Sequence, residues 1–234
     1  MRRRHVTLLV LILLTSTLGV ISAAVSNVSA ADQNSDKKLN FHWTFGAIKM
    51  TEQGAQFETV NRDTVMRSGD QIKFYIKLNS DCFVYLIYAS SQGELSILFP
   101  QRFKPEDGGT HSDSPYYVPE GRQWFELDSH DGIEKFYLLA SASRLDVLEK
   151  LVNSYESADK SKKSELSDQI LAEIRQLRKK SLKFKTYAER PVSIIGNMRG
   201  AGSKEIVADT DIGKHAVAVT ADSFFSRVFT IDHR

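Results

Sequence analysis

Residues 70–99 read DQIKFYIKLNSDCFVYLIYASSQGELSILF, and this stretch decides the fold class. Apolar and polar side chains alternate in residues 71–78, which is typical of a strand with one face toward water. Residues 82–88 are apolar on both faces, so they are predicted to form a buried central strand. A turn at residues 90–93 leads into a third apolar run that ends at Pro100. We expect these three runs to form an antiparallel meander.

Further short strand-like runs occur on both sides of this stretch. They lie at residues 41–45, 116–118, 123–127, 133–141, 192–195, 205–208, 215–220 and 227–231. Seven or more short strands, many of them separated by turn signals at short spacing, favour an antiparallel β-sandwich or a Greek-key barrel.

The pattern changes to helical spacing in residues 143–185. Leucines and isoleucines recur there at intervals of three and four in two stretches that are separated by a charged connector. Ser143 and Asp146 have the spacing of a capping box, which predicts where the first helix begins. The predicted fold is therefore mainly β with a helical insertion, a two-helix hairpin at about 143–185.

The N-terminal 30 residues have the three parts of a secretory signal peptide. Three arginines precede an uncharged apolar run at residues 6–20, and small residues then lead to Ala31. We predict a signal peptide at 1–30, a linker at 31–40 and a β domain at 41–234 in a periplasmic or secreted protein. The apolar stretch 6–25 is also just long enough to span a bilayer, so an uncleaved anchor is the alternative. No second segment is predicted to span a membrane.

The charge of the chain gives no indication of a nucleic-acid partner. The 234 residues include 31 basic and 29 acidic side chains. Subtracting Arg2, Arg3 and Arg4 from the 31 leaves 28 basic against 29 acidic residues, a net charge of −1. Nucleic-acid-binding domains usually carry a clear basic excess.

The common catalytic and cofactor motifs are absent from the sequence. Cys82 is the single cysteine, so the chain cannot form an internal disulfide, and its apolar context predicts a buried core residue. The histidines show no metal-ligand spacing, and neither a phosphate loop nor a Gly-x-Ser-x-Gly elbow occurs. We therefore assign no catalytic residue, cofactor or metal.

Aromatic side chains and one histidine form the candidate binding surface. The candidates are Trp43, Tyr116, Tyr117, Trp124 and His111. Aromatic rings combine apolar area with polar edges, so they suit the lining of a ligand groove. Packing in the core and at its rim is the alternative for the four aromatic residues.

The order of several short motifs resembles the DUF4384 family, whose members carry a domain of unknown function. The motifs are SGDQIKFYI at 68–76, DCFVY at 81–85, a turn glycine at 93 and LFP at 98–100. Weaker similarity at 117–119, 132–134, 144–145, 189–191 and 229–233 extends the resemblance over about 40–234. The resemblance implies a β-rich domain outside the cytoplasm of bacteria. Such domains often accompany catalytic domains, but they have no agreed catalytic residues.

These observations favour an exported, non-enzymatic binding or adaptor module of the bacterial envelope. Its partner is expected to be another envelope or secreted protein, and the oligomeric state stays open. The first alternative is an envelope hydrolase with a dispersed site around His111, His130 and nearby acids. The second is a structural protein tethered by an uncleaved N-terminal helix.

Overall fold

The fold was analysed in a computed structural model. The structure describes residues 38–101, 103, 114–182, 187–191 and 211–234. The strands in chain order are β1 (Leu39–Thr51), β2 (Gly54–Thr59), β3 (Thr64–Met66), β4 (Gln71–Leu78), β5 (Phe83–Ala89), β6 (Leu95–Phe99), β7 (Tyr116–Val118), β8 (Phe125–Glu126), β9 (Gly132–Ser141), β10 (Tyr187–Pro191), β11 (Val217–Ala221) and β12 (Phe224–His233). The helices are α1 (Asp146–Glu156), α2 (Lys160–Leu182) and a short 3₁₀ helix (Ile212–His215).

The strands form two sheets. The first sheet has the order β10-β11-β1-β4-β7, with β2 also paired to β1 and β8 also paired to β4. The second sheet has the order β3-β12-β9-β5-β6. All pairs are antiparallel except β3 with β12. The described strands do not close into a barrel, so of the two predicted β architectures the sandwich is confirmed.

Aromatic side chains from both sheets form the core between them. Strand β1 contributes Phe41, Trp43 and Phe45 from the first sheet. The Phe45 ring lies 5.3 Å from Phe136 and 5.1 Å from Phe229, both of the second sheet. These centroid distances are in the range of favourable aromatic pairs. The alternating large side chains of β1 therefore fasten one sheet to the other.

The two helices form a hairpin that packs on the outer face of the second sheet, which confirms the predicted helical pair. Leu148 and Val152 of α1 and Ile170 and Ile174 of α2 form a buried cluster with outward-facing residues of β5 and β9. Strand β5 thus contacts the inter-sheet core on one face and the helices on the other. This position explains why its sequence is apolar on both faces.

The order of the strands corrects the predicted meander. Strand β5 pairs with β6, but β4 belongs to the first sheet and β5 to the second. The link between them crosses from one sheet to the other, and Asn79 and Ser80 donate their backbone N–H groups to the carbonyl of Asn40 there. The sequence pattern did not distinguish these arrangements, because two consecutive strands with apolar inward faces can lie in opposite sheets of a sandwich or side by side in one sheet.

The predicted capping box at the start of α1 is also wrong. The helix begins at Asp146, and its N-cap residue, Leu145, has no side-chain capping bond. Instead the Leu145 N–H donates to the hydroxyl of Tyr85 on β5, at 3.1 Å. A side chain 60 residues away in sequence therefore satisfies the backbone group near this helix start.

Several boundaries differ from the sequence prediction. Strand β1 begins at Leu39, inside the segment that was predicted to be a linker, and β2 and β3 were not predicted. The predicted signal peptide and the predicted strands at 192–195 and 205–208 lie outside the described residues.

Candidate binding cleft

A cleft of about 1100 Å³ lies where an edge of the second sheet meets an edge of the first. Residues 82–85 and 98–101 line it from the second sheet, and residues 115–121 line it around β7. The rings of Phe99 on β6 and Tyr116 on β7 lie 4.9 Å apart and join the two sides. Pockets for small molecules usually have volumes of about 300–1000 Å³. The volume is therefore also suited to a short stretch of polypeptide.

One side of the cleft is a partly unpaired edge of β5. Strand β9 pairs with all seven residues of β5, from Phe83 to Ala89. Strand β6 pairs with β5 only at residues 86–89, and its register shifts between Leu86 and Ile87. Among the described residues no strand pairs with residues 83–85 on this side. Val84 and Tyr85 are only 4% and 2% exposed, so this part of β5 is buried although no described strand pairs with it here.

A buried polar cluster connects this edge to α1. The Tyr85 hydroxyl donates to Glu149 Oε1 at 2.6 Å. The Arg144 Nε and Nη2 groups donate to Glu149 Oε2 at 3.1 and 2.8 Å. Burial and the hydrogen bond to Glu149 raise the pKa of Tyr85, so its phenol stays protonated. All three side chains line the cleft, where they supply a polar but charge-compensated portion of its wall.

The opposite rim of the cleft is held by Lys73. This buried lysine on β4 donates its ammonium to the carbonyls of Gly121 and Gln123, the latter at 2.7 Å. The ammonium also lies 5.4 Å from the centroid of the Tyr117 ring and 5.8 Å from that of Trp124. Backbone carbonyls and aromatic faces both attract a cation. One side chain therefore fixes the turn that follows β7.

The single thiol in the cleft is not suited to nucleophilic chemistry. The Cys82 side chain is buried, and burial raises its pKa to about 11. The thiolate is the reactive form of cysteine, so at neutral pH this side chain stays a protonated, apolar part of the wall.

A second polar cluster, formed by Ser68, His233 and Glu134, lies at the C-terminal strand. The Ser68 hydroxyl is 3.2 Å from His233 Nε2, and His233 Nδ1 is 3.7 Å from Glu134 Oε1. The order of hydroxyl, imidazole and carboxylate is that of a hydrolytic triad. The second distance is too long for a hydrogen bond, and Nδ1 is buried with no partner among the described residues.

The backbone around Ser68 gives no support to a hydrolytic role. The next two N–H groups, of Gly69 and Asp70, already donate to the carbonyls of Leu127 and Arg67. Acyl transfer needs donors that point at the developing oxyanion, commonly the backbone N–H groups beside the nucleophile. We interpret this cluster as polar packing that holds the end of β12.

The aromatic candidates from the sequence divide between cleft and core. Tyr116 and Tyr117 line the cleft and are half-buried. Trp43 is only 1% exposed and lies in the inter-sheet core, so it has the core-packing role that was the alternative to ligand binding. Trp124 is half-buried and packs near Tyr75 on the outer face of the first sheet. His111 lies outside the described residues.

Of the two histidines behind the hydrolase alternative, the structure describes only His130. His130 is exposed, and its Nδ1 is 3.0 Å from the carboxylate of Asp128, two residues away. Within the described ranges no three His, Cys, Asp or Glu side chains are placed to hold a metal ion. The helices in the described part of the chain are also too short or too polar to cross a membrane.

Sequence reasoning missed Tyr85, Arg144 and Glu149, which lie five to 64 positions apart. One signal was present, because a tyrosine in a strand that is apolar on both faces needs a partner for its hydroxyl. The identity of that partner depends on how α1 packs on β5, which no local pattern shows.

These features define a two-sheet β-sandwich with an accessory helical pair and a cleft at one sheet edge. Residues 65–144 match the family model of a domain of unknown function, DUF4384, which confirms the resemblance over this segment. The match runs from β3 through β9 to Arg144, which includes the strands around the cleft but neither long helix. A search of curated proteins found no match. A search of solved structures also found no match.

Proposed function

We propose that this protein is an exported, non-enzymatic binding module that holds a segment of another envelope or secreted protein in the cleft. The observation that carries the proposal is the cleft itself, a large groove between the two sheets that is lined by aromatic, aliphatic and polar side chains. Its thiol is protonated, and its charged pair, Arg144 and Glu149, is mutually compensated. These properties suit recognition of an uncharged ligand better than bond-breaking chemistry.

Export is supported by the N-terminal sequence. The arginines at positions 2–4, the apolar run and the small residues before Ala31 are the features of a signal peptide. The intact mass of the native protein tests this part of the proposal. A species that begins near Ala31 is expected, whereas a full-length species in the membrane fraction would favour the tethered alternative.

Site-specific photocrosslinking tests the binding role. A photoreactive phenylalanine analogue is placed at position 116, in the cleft, and in a control at position 57. Phe57 is matched to Tyr116 because both rings are half-buried on the first sheet, each 4.9 Å from one aromatic neighbour. We expect position 116 to crosslink to one contiguous segment of a partner protein, mapped by mass spectrometry, and position 57 not to do so.

Binding of the mapped segment as a synthetic peptide is then measured by calorimetry. Tyr116→Ala should weaken binding by about tenfold or more, because hot-spot aromatic side chains commonly contribute that much. Phe57→Ala should change the affinity less than about twofold on the same scale. Equal crosslinking at both positions, or equal affinities of both variants, would contradict the proposal.

A further inference from the structure

We infer that the C-terminal half of α2 binds the phosphate headgroups of an anionic lipid bilayer. Four cationic side chains form this basic surface: Arg175, Arg178, Lys179 and Lys180. Three of them are exposed, and Arg178 is half-buried. The described lining of the cleft includes no residue of α2, so the inference goes beyond the proposed function. A peripheral contact of this kind needs no segment that crosses the membrane.

The basic surface is not neutralised by acidic side chains of its own helix. Ion pairs on a helix join residues three or four positions apart, and those positions hold no Asp or Glu for any of the four cations. Arg175 instead has Arg178 and Lys179 at these distances, and like charges so placed destabilise a helix. Across the part of the chain that the structure describes, no ion pair reaches the basic surface from another element either. The four charges are therefore available to an external anion.

Helix stability accounts for only half of the basic surface. Cations in the last turn of a helix complement the negative end of its dipole, and Lys179 and Lys180 lie in the last turn of α2. The effect of the dipole falls off within that turn, so it does not explain Arg175 and Arg178. These two arginines carry a helix-destabilising like-charge pair without a compensating contact, which is expected of residues kept for binding rather than for folding.

The two arginines lie beside an amphipathic aromatic side chain. Ile174 buries the inner face of α2 on the second sheet, and Tyr137 of β9 is half-buried in the same cluster. Burial raises the pKa of Tyr137, and the positive charges of Arg178 and Arg175 oppose that rise, so both guanidinium groups act on its ring. Tyrosine next to arginine is typical of a membrane–water interface, where the ring contacts the acyl boundary and the cation contacts the headgroups.

The shape of the basic surface favours a bilayer over a free phosphate or a folded acidic protein. Sites for small ligands are concave, whereas this surface is the convex outer side of a helix. A bilayer presents many phosphates at once, and such multivalency strengthens contacts that are weak one by one. Headgroups of a fluid bilayer also rearrange around fixed cations, which carboxylates on a folded protein cannot do. Residues 31–234 carry a net charge of −1, so this local excess of positive charge would orient the protein on the bilayer.

Vesicle flotation tests the inference. The native protein, with its N-terminus established by intact mass, is mixed with vesicles of phosphatidylcholine or of equal parts phosphatidylcholine and phosphatidylglycerol. Binding to the neutral vesicles measures any contribution of the N-terminal segment. We expect the anionic vesicles to bind the protein more tightly, and we expect added salt to weaken this difference because it screens the charges.

Two double variants locate the contact on α2. Arg175→Gln with Arg178→Gln removes two charges from the basic surface, and Lys160→Gln with Lys162→Gln removes two exposed charges from the opposite end of the same helix. Each basic side chain at an anionic membrane strengthens binding by about fivefold, so the arginine variant should bind about 25-fold more weakly. The lysine variant should change binding by less than about threefold. Thermal melting of both variants establishes that they fold.

Equal binding to neutral and anionic vesicles, or equal losses in two folded variants, would overturn the inference. Sodium phosphate that displaces the protein from anionic vesicles, at an ionic strength where sodium chloride does not, would identify a free phosphate as the ligand and overturn the bilayer. Poly-glutamate that binds with the same dependence on Arg175 and Arg178, while vesicles do not, would assign the basic surface to an acidic protein instead. Each of these results leaves the proposed role of the cleft intact.

Discussion

Removal of the Tyr85 hydroxyl should destabilise the protein far more than the loss of one atom suggests. In the Tyr85→Phe variant the ring and its packing stay, but two hydrogen bonds disappear. Glu149 loses a donor at 2.6 Å, and the Leu145 N–H loses its acceptor at 3.1 Å. Both partners are in the buried or part-buried region between β5 and α1.

The magnitude follows from these two bonds. A hydrogen bond to a charged group contributes about 1.5–3 kcal/mol, and an orphaned buried donor costs about 1–3 kcal/mol. Glu149 keeps its two bonds from Arg144, which reduces the loss. We therefore expect the free energy of unfolding to fall by about 2–4 kcal/mol, a large part of the ~5–15 kcal/mol of a typical domain.

Urea denaturation measures this change. The control is Tyr137→Phe, because Tyr137 is half-buried in the same cluster and no described residue bonds to its hydroxyl. The control should cost less than about 0.5 kcal/mol. A double-mutant cycle with Glu149→Gln should give a coupling energy of about 1 kcal/mol or more. A Tyr85→Phe cost no larger than that of the control, or no coupling, would refute the reasoning.

Three further predictions concern other parts of the structure. Burial raises the pKa of Glu134, so the folded state holds this proton more tightly than the unfolded chain does. The protonated Glu134 therefore stabilises the folded state at low pH. This contribution is lost as the pH rises above 4.5 and through the raised pKa of Glu134 in the folded state. Glu134→Gln should therefore flatten that fall in urea titrations, and an equally steep fall in the variant would count against it. Lys73→Met should lower the free energy of unfolding by about 1–3 kcal/mol, because the carbonyls of Gly121 and Gln123 lose their donor. It should also speed amide exchange in the turn that follows β7, and unchanged exchange there would contradict the role of Lys73 in holding this turn. Gly132→Ala should lower the melting temperature more than Gly54→Ala. Both glycines have positive φ, but of the two only Gly132 lies where a new Cβ would collide with another atom, the Cβ of Ser91. Equal melting temperatures would contradict this contact.

The parts of the fold that the sequence could predict depend on local periodicity. The alternation in β4, the two-sided apolar pattern of β5 and the helical spacing after residue 143 each follow from how one element buries its own side chains. The assignment of β4 and β5 to different sheets could not be predicted. Two strands that follow each other in the chain show the same pattern of inward apolar residues whether they are neighbours in one sheet or lie in opposite sheets.

The candidate site was only partly predictable for the same reason. Tyr116 and Tyr117 were predicted as binding residues because they are aromatic side chains in a short polar context, and both line the cleft. Tyr85 and Glu149 meet only after the helices pack on the second sheet, and Ser68 meets His233 across 165 positions. Contacts of this kind depend on tertiary packing and leave no short-range signal.

Residue-resolved amide hydrogen exchange tests the binding role of the cleft most directly. The segment that crosslinks to position 116 is added to the protein as a saturating synthetic peptide. We predict that amides of the cleft-lining residues Tyr116 and Tyr117 then exchange at least about tenfold more slowly, while amides around Phe57 stay unchanged. No slowing at the cleft, or equal slowing around Phe57, would contradict the proposal that the cleft holds a segment of a partner protein.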